Sequence, residues 1–332
     1  MQSPASTIRV GFLLVPDFGI LGFASALDAL RHANQIAGRE CYRWILMSAD
    51  GAPVQSSAGL TLPVDAPVDE NLGLDIVLVI AGVGAEHVDD PRIISGLKRL
   101  SRRRITVGGV SLGSYLLARA GLLEGYRCTV HWENLSAFRE EFPRLDVSDE
   151  VFELDRDRMT CSGGTASLDM MLQVITDNQG ARLAAKVADA CIMDRVRSSG
   201  EPQRMPLRLR VGVSHPKLLR AIELIEACED RRQSQSQLAE MVGLSERQME
   251  RLFRKYLDTT PSRYARDYRL RRGRDLLRQT RMNVVDVAVA CGFTTASHFT
   301  KSYREYFGVT PGDDRDSAAA RVSPHGARSS VE

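Results

Sequence analysis

The stretch LAEMVGLSERQMERLFRKYL, residues 238–257, has a counterpart in VAVACGFTTASHFTKSYREYF, residues 287–307. Each copy is a short apolar helix, a glycine, and a longer amphipathic helix. Their leading halves align at an offset of 49, Gly243 on Gly292. Their trailing halves align at 50, Phe253 on Tyr303 and Pro261 on Pro311, so the second turn holds one extra residue around Thr294–Thr295. Gly243 and Gly292 fall where a left-handed residue is needed between paired helices. The repeat predicts two helix-turn-helix units in one chain, able to set two recognition helices on one face of a DNA duplex.

In the first trailing helix Ser245 is the expected N-cap. Met249, Leu252, Phe253 and Tyr256 recur at i, i+3, i+4, i+7 and predict the buried stripe. Arg247, Gln248, Glu250, Arg251 and Arg254 then face out. In the second, Phe299, Tyr303 and Phe307 predict the buried side, with Ser297, His298, Lys301 and Arg304 outward. Cationic and amide side chains near a helix N-terminus reach base edges in the major groove. Arg254, Lys255 and Arg304, further along, suit phosphates. Between the units, SRYARDYRLRRGRDLLRQ (262–279) would span about 27 Å as a helix at 1.5 Å per residue. A spacer of that length could set the two recognition helices roughly one duplex turn, about 34 Å, apart. One such helix pair could be a plain hairpin; two matched units joined by a basic helix point to double-stranded DNA as the partner.

The chain as a whole holds 44 Lys and Arg against 42 Asp and Glu, whereas over 216–316 basic residues, mostly Arg, outnumber acidic ones. Upstream, residues 195–216 carry three prolines and five arginines without an amphipathic period, the composition of a linker. Downstream, residues 317–332 lack apolar periodicity and are expected to be disordered. The first 194 residues alternate strand-like runs (IRVGFLLV 8–15, YRWILMSA 42–49, DIVLVIAG 75–82, ITVGGV 105–110) with helical stretches. That order predicts an α/β domain with a parallel sheet and helices on both faces. The 332 residues thus divide into an α/β domain (1–194), a linker (195–216), an all-α domain with two helix-turn-helix units (217–316) and a tail (317–332). Six scattered cysteines, with no CxxC pair or metal-ligand spacing, read as reduced thiols of a cytoplasmic protein with no metal and no cofactor. The N-terminal apolar run is broken by Pro16 and Asp17, so it predicts a first strand and no membrane span.

Within the α/β domain, GGVSLGSYLLARAGLL (108–123) is a strand-turn-helix elbow presenting Ser111. Its GxSxG pattern suits a hydrolase or amidase acting through Ser111, although the nearest histidine, His131, follows after only 20 residues. Asp17 and Phe18 at the first strand's end, and His131 and Trp132 after a later strand-like segment, are expected around the elbow. The backbone N–H groups at Leu112 and Gly113 would favour a carboxylate. Trp132, Phe18, Tyr115 and Trp44 are candidate faces for a cation, Trp44 and Tyr115 having a core reading as well.

Residues 217–316 resemble the AraC/XylS family of transcription regulators, through the two quoted units and through VVDVAVACGFTTASHFTKSYREYFGVTP. The resemblance implies base contacts at Arg247, Gln248, Arg251, Ser297, His298 and Lys301. After Pro311 the family usually continues with a small residue, an aromatic and Arg; this chain reads Gly312-Asp313-Asp314-Arg315. Residues 7–180 resemble DJ-1/PfpI, or class I glutamine amidotransferase-like, domains, through IRVGFLLVPDFGILGFASALDALRHAN, DIVLVIAG, the elbow, and TCSGGTASLDMMLQVI. That resemblance implies a flavodoxin-like sandwich that commonly dimerises. The family's elbow carries a Cys whose thiolate a helix N-terminus stabilises. A serine hydroxyl is not ionised that way and needs a base, and Leu112 stands where the family's proteases have His.

Together the halves resemble the GlxA-type branch of AraC regulators, which includes activators of genes for arginine, glycine betaine and carnitine catabolism. The expected function is a ligand-responsive DNA-binding regulator, an activator acting as a homodimer with RNA polymerase. Its small-molecule effector is expected at Asp17, Phe18, Ser111, Leu112, His131 and Trp132. The alternatives are a Ser111 hydrolase with an appended DNA-binding domain, and a ligand-independent DNA-binding protein whose first domain only dimerises.

Overall fold

The computed structural model describes residues 7–227 and 234–322, and the chain divides into two units between Gln203 and Arg204. In the first unit β1 (Ile8–Leu14), β2 (Tyr42–Ser48), β5 (Ala66–Pro67), β6 (Ile76–Ala81), β7 (Thr106–Ser111), β10 (Phe152–Asp155) and β11 (Arg158–Cys161) form one sheet in the order β10-β11-β7-β6-β1-β2-β5. Two small ladders lie outside it, β3 (Val54–Gln55) with β4 (Thr61–Leu62) and β8 (Arg127–Cys128) with β9 (Asp146–Val147). All neighbours in the main sheet run parallel except β10 and β11, whose two-residue connection permits only an antiparallel pair.

Every residue of β6 is buried, because both sheet faces are covered. On one face α1 (Ile20–Ala37), α5 (Ala166–Gln179) and α6 (Ala181–Ala190) enclose Phe12, Leu14, Phe23 and Met170. On the other, α2 (Pro91–Arg102), α3 (Gly113–Arg119) and α4 (Leu135–Glu141) enclose Leu13, Val79, Leu97, Tyr115 and Phe138. The chain leaves β1 toward β2 on one side and later returns as β6 on the other. The crevice beyond the carboxyl ends of β1 and β6 is therefore a topological switch point, where open α/β sheets bind ligands.

The second unit comprises α7 (Leu207–Val211), α8 (Pro216–Ala227), α9 (Gln235–Met241), α10 (Glu246–Leu257), α11 (Pro261–Gln279), α12 (Val284–Ala290), α13 (Ala296–Phe307) and α14 (Pro311–Val322). Four residues join α9 to α10 and five join α12 to α13, so the extra residue inferred from the repeat sits in the second turn. Gly243 and Gly292 adopt φ of 63° and 69°, as a left-handed turn residue must.

Two sequence expectations change. Residues 195–216, expected as one linker, are ordered and shared between the units. Residues up to Gln203 hydrogen-bond to the first unit, and Leu207, Val211 and Val213 join the apolar cluster of the second. Their attachment to the first unit is polar, so no hydrophobic period marked it. The tail expected to be disordered from residue 317 instead continues α14 to Val322; the rest of that prediction, 323–332, lies outside the described residues, as does Cys228. What holds α14 is again polar. Asp314, 4% exposed, accepts from the Tyr303 hydroxyl at 2.6 Å and from Arg278 at 2.6 Å, with Arg274 Nε 2.8 Å away.

Candidate nucleic-acid interface and effector site

Both recognition helices start at well-formed caps. Ser245 caps α10, accepting from the Gln248 N–H while its own N–H donates to Gln248 Oε1 at 2.9 Å. Thr295 caps α13 by accepting from the His298 N–H at 3.1 Å. Met249 and Phe253 are wholly buried under α10, and Phe299 and Tyr303 under α13. The opposite faces expose Arg247, Gln248, Arg251 and Arg254 on α10, and Ser297, His298, Lys301 and Arg304 on α13. These eight residues form the candidate DNA-contacting set. Two of them are partly engaged: the capping box takes Gln248 Oε1, leaving its NH2 group as donor, and Arg254 pairs with Glu250 at 2.7 Å. Tyr256, expected in the buried stripe, is instead 40% exposed, with its ring 5.9 Å from that of His215.

Each turn is fastened by a cation. Lys217 donates to the Gly243 carbonyl at 2.7 Å, and Arg269 to the Gly292 carbonyl at 3.3 Å. Arg272, 8% exposed, reaches the Ala290 carbonyl at 2.5 Å. These arginines of α11 had the look of a basic spacer. Their cationic heads instead meet the carbonyl end of α12, where a helix dipole favours positive charge. Gly273 lets α13 approach: a Cβ there would lie 2.8 Å from the Phe299 ring.

In the first unit Ser111 ends β7 at φ 58°, a strained position for a non-glycine residue, and α3 leaves at once from Gly113. Close backbone packing makes the elbow. A Cβ on Gly113 would lie 2.1 Å from the Val79 carbonyl oxygen, and one on Gly163 would lie 2.5 Å from Ser111 Cβ. Asp17, also left-handed at φ 61°, is exposed at the switch point, where its carbonyl closes on Gly82 so tightly that no Cβ fits. Ser111 pairs in register with Ala81, the residue before Gly82, so Asp17 and Ser111 stand at the ends of strands on either side of β6. Beside Ser111 lies the fully buried Cys161, whose thiol pKa is raised by burial and whose Sγ lies 3.6 Å from the Ser167 hydroxyl.

Other predicted site residues are placed differently. Phe18 is wholly buried, edge-on to Phe23, because the chain turns back to bridge Ser56; it serves the core. The Leu112 side chain likewise belongs to the core, as does Tyr115, set edge-on against Phe138. Trp44 packs partly buried against the opposite cluster. His131 and Trp132 are neighbouring rings 5.6 Å apart, with Trp132 39% exposed. Burial holds the His131 imidazole below its usual pKa, against the opposing pull of Glu133 3.8 Å away. Its Nδ1 accepts from the Glu133 N–H, and among the described residues no hydrogen bond joins the Ser111 hydroxyl to His131 or Asp17. The sequence reading missed Leu21 and Val83, exposed apolar residues at Gly164 and after Gly82 that rim the elbow. Their apolar character alone gave no sign that they are exposed. Among the described residues no group of three or more His, Cys, Asp or Glu is placed to hold a metal, and no helix is long and apolar enough to cross a membrane.

Comparison with known proteins adds to this geometry. A family model described as a helix-turn-helix domain matches residues 238–317, and one described as the DJ-1/PfpI family matches residues 8–177. The HTH-type transcriptional regulator GbdR of Pseudomonas aeruginosa is 45% identical over 306 residues, covering 92% of this chain and 83% of that protein. The HTH-type transcriptional regulator GlxA of Rhizobium meliloti is 37% identical over 308 residues, covering 92% and 95%. Among solved structures, an AraC family transcriptional regulator from Pseudomonas putida is 28% identical at a TM-score of 0.52, covering 55% of this chain and 99% of that one.

Proposed function

Because the chain belongs to the HTH-type transcriptional regulators that join a DJ-1/PfpI domain to an AraC-type DNA-binding domain, we propose that it is a ligand-responsive activator whose effector binds at the Asp17–Ser111 crevice. Sequence-specific DNA binding resides in the second unit, and the observation that carries it is the pair of capped recognition helices with exposed polar faces over wholly buried aromatic ones. Residues near each helix start, Arg247, Gln248 and Arg251, then Ser297, His298 and Lys301, read base edges, while Arg254 and Arg304 hold phosphates. The chain acts as a homodimer and recruits RNA polymerase in the cytoplasm.

Three features support the effector reading. The crevice lies at the topological switch point, it presents a carboxylate and a hydroxyl, and exposed apolar side chains rim it. Such a mixture suits a small zwitterion or quaternary amine, of the kind represented by glycine betaine, carnitine or arginine. Trp132, a partly exposed ring beside His131, is the candidate aromatic partner for the cation. Ser111 acts as part of the floor rather than as a nucleophile, since no base reaches its hydroxyl among the described residues.

Footprinting on the promoter region tests the DNA assignment: Arg251→Ala and Lys301→Ala should each weaken specific binding by roughly 1–3 kcal/mol. Normal footprints from both variants would remove these positions from the reading face. A thermal-shift screen with amino acids and quaternary amines tests the effector class, with Ser111→Ala as the partner variant. Altered ligand response without turnover supports the sensor, whereas turnover abolished by Ser111→Ala would make the first unit an enzyme.

A further inference from the structure

The last nine residues of the first unit are held by two polar clasps, at Arg197 and at Gln203. The first clasp is buried. Asp169, in the opening turn of α5 and 0% exposed, accepts the Arg197 backbone N–H at 2.8 Å and its Nε at 2.8 Å. The same guanidinium donates to Thr165 Oγ1 at 2.8 Å. Thr165 is the N-cap of α5 and directly follows Gly163-Gly164, the turn that leaves no room for one carbon against Ser111. Arg197 therefore grips the segment that forms one wall of the elbow.

The second clasp is Gln203. Its Nε2 lies 2.8 Å from Thr129 Oγ1, 2.9 Å from the Val130 carbonyl and 3.0 Å from the Glu150 carbonyl. Val130 precedes His131, and the Thr129 carbonyl accepts from Ser114 Oγ at 2.7 Å, three residues beyond Ser111. Between the clasps the segment adds a short antiparallel bridge at the sheet edge, Pro202 to Glu150, with the Val151 N–H donating to the Glu201 carbonyl at 2.8 Å. Apolar burial contributes little, since Val196 is 47% exposed. An ordered segment held by a few polar contacts belongs to the low-stability end of a fold, where switching elements are found. The chain then passes straight into the second unit, where Arg210 pairs with Glu226 at 2.9 Å.

We propose that residues 195–203 are the strap that couples the two units, with Arg197 and Gln203 as its positioning residues. The proposal rests on the effector reading of the Ser111 crevice. A ligand seated on Ser111 bears on Gly163 across a gap too small to admit one carbon, and displaces the opening turn of α5 from Arg197. The strap comes off the sheet edge, and the tether to the DNA-binding unit lengthens. Clasped and released straps are the two states that the ligand biases, and a coupling path requires such a two-state element.

The test uses the full chain. Two variants break the clasps separately: the neutral pair Asp169→Asn with Arg197→Gln, which leaves no charge buried alone, and Gln203→Ala. Hydrogen exchange in a peptide covering 195–203 should quicken about tenfold in each. Uninduced output from a promoter reporter should shift at least about fivefold toward the induced level, with the promoter footprint unchanged. Faster exchange with wild-type reporter output would overturn the strap, and so would unchanged exchange. Calorimetry of the wild type with glycine betaine judges the effector class separately, because the reporter shift in the variants needs no ligand.

Discussion

Replacing Asp314 by Asn asks whether a buried carboxylate holds the last helix, and with it the second recognition helix. Oδ1 accepts from Arg278 at 2.6 Å; Oδ2 accepts from Tyr303 at 2.6 Å and faces Arg274 Nε at 2.8 Å. A hydrogen bond to a charged group contributes about 1.5–3 kcal/mol, so the two bonds together have a gross value of about 3–6 kcal/mol. Two effects reduce the loss. Arg274 and Arg278 are 34% and 35% exposed and regain water, and the Asn carbonyl keeps one acceptor. The expected cost is about 2–3 kcal/mol, which at a urea m-value of about 1–3 kcal/mol/M moves a midpoint by about 0.7–3 M. Both tryptophans, Trp44 and Trp132, lie in the first unit, so fluorescence follows that unit while far-UV circular dichroism follows both. The dichroism transition of the second unit should fall, the fluorescence midpoint should hold, and the footprint should weaken first at the bases read by α13. An unchanged dichroism curve, or an equal fall in both signals, would refute the reasoning. The pH dependence has a definite sign. Burial raises the Asp314 carboxyl pKa, but its partners, Tyr303 and the two guanidiniums, lower it further, to a net value below the usual one. Its contribution is thus present above the ordinary carboxylate value of about 3.9 and lost as pH falls through the folded value. Asp314→Asn should flatten that acid limb.

Two further outcomes can be checked. Gly273→Ala gains roughly 1 kcal/mol of helix propensity but drives a Cβ to 2.8 Å from the wholly buried Phe299 ring. A net loss of about 1–2 kcal/mol is expected, and a higher melting temperature would show that α13 yields freely. The His131 imidazole is held below its usual pKa by burial, so its neutral form stabilises the first unit above about pH 6.5 and that contribution is lost as pH falls. The melting temperature of His131→Gln should therefore depend less on pH between 5 and 7; an identical slope would count against a buried neutral ring.

The regular elements were legible because their signals are local. Apolar runs at β1, β2, β6 and β7, and the glycine between paired helices, carry the fold in neighbouring residues. The misplaced residues share another property: their partners are distant in sequence. Phe18 looked like a free aromatic at a strand end until the turn to Ser56 folded it against Phe23. Arg269 and Arg272 read only as part of a basic spacer helix, and the packing of α12 on α11 supplies the carbonyls they meet. The segment 195–203 and helix α14 carry no apolar period because Arg–Asp pairs hold them, and ion pairs across tens of residues leave no periodic trace. In the crevice, Ser111 and Asp17 were found from strand-end position, whereas the glycines that let them approach are visible only as missing space.

The unequal turns, four residues before α10 and five before α13, have a consequence for the operator. Two identical heads in tandem would read a repeated word. Here the heads differ in turn length, in cap and in exposed side chains, so each subunit's site is a phrase with a beginning and an end. Cutting out such a site and reinserting it back to front changes which bases meet which head. A direct repeat of one word already has a direction, but its two words can be exchanged without effect; unequal heads remove that freedom, so the order of the two words along the site is fixed as well.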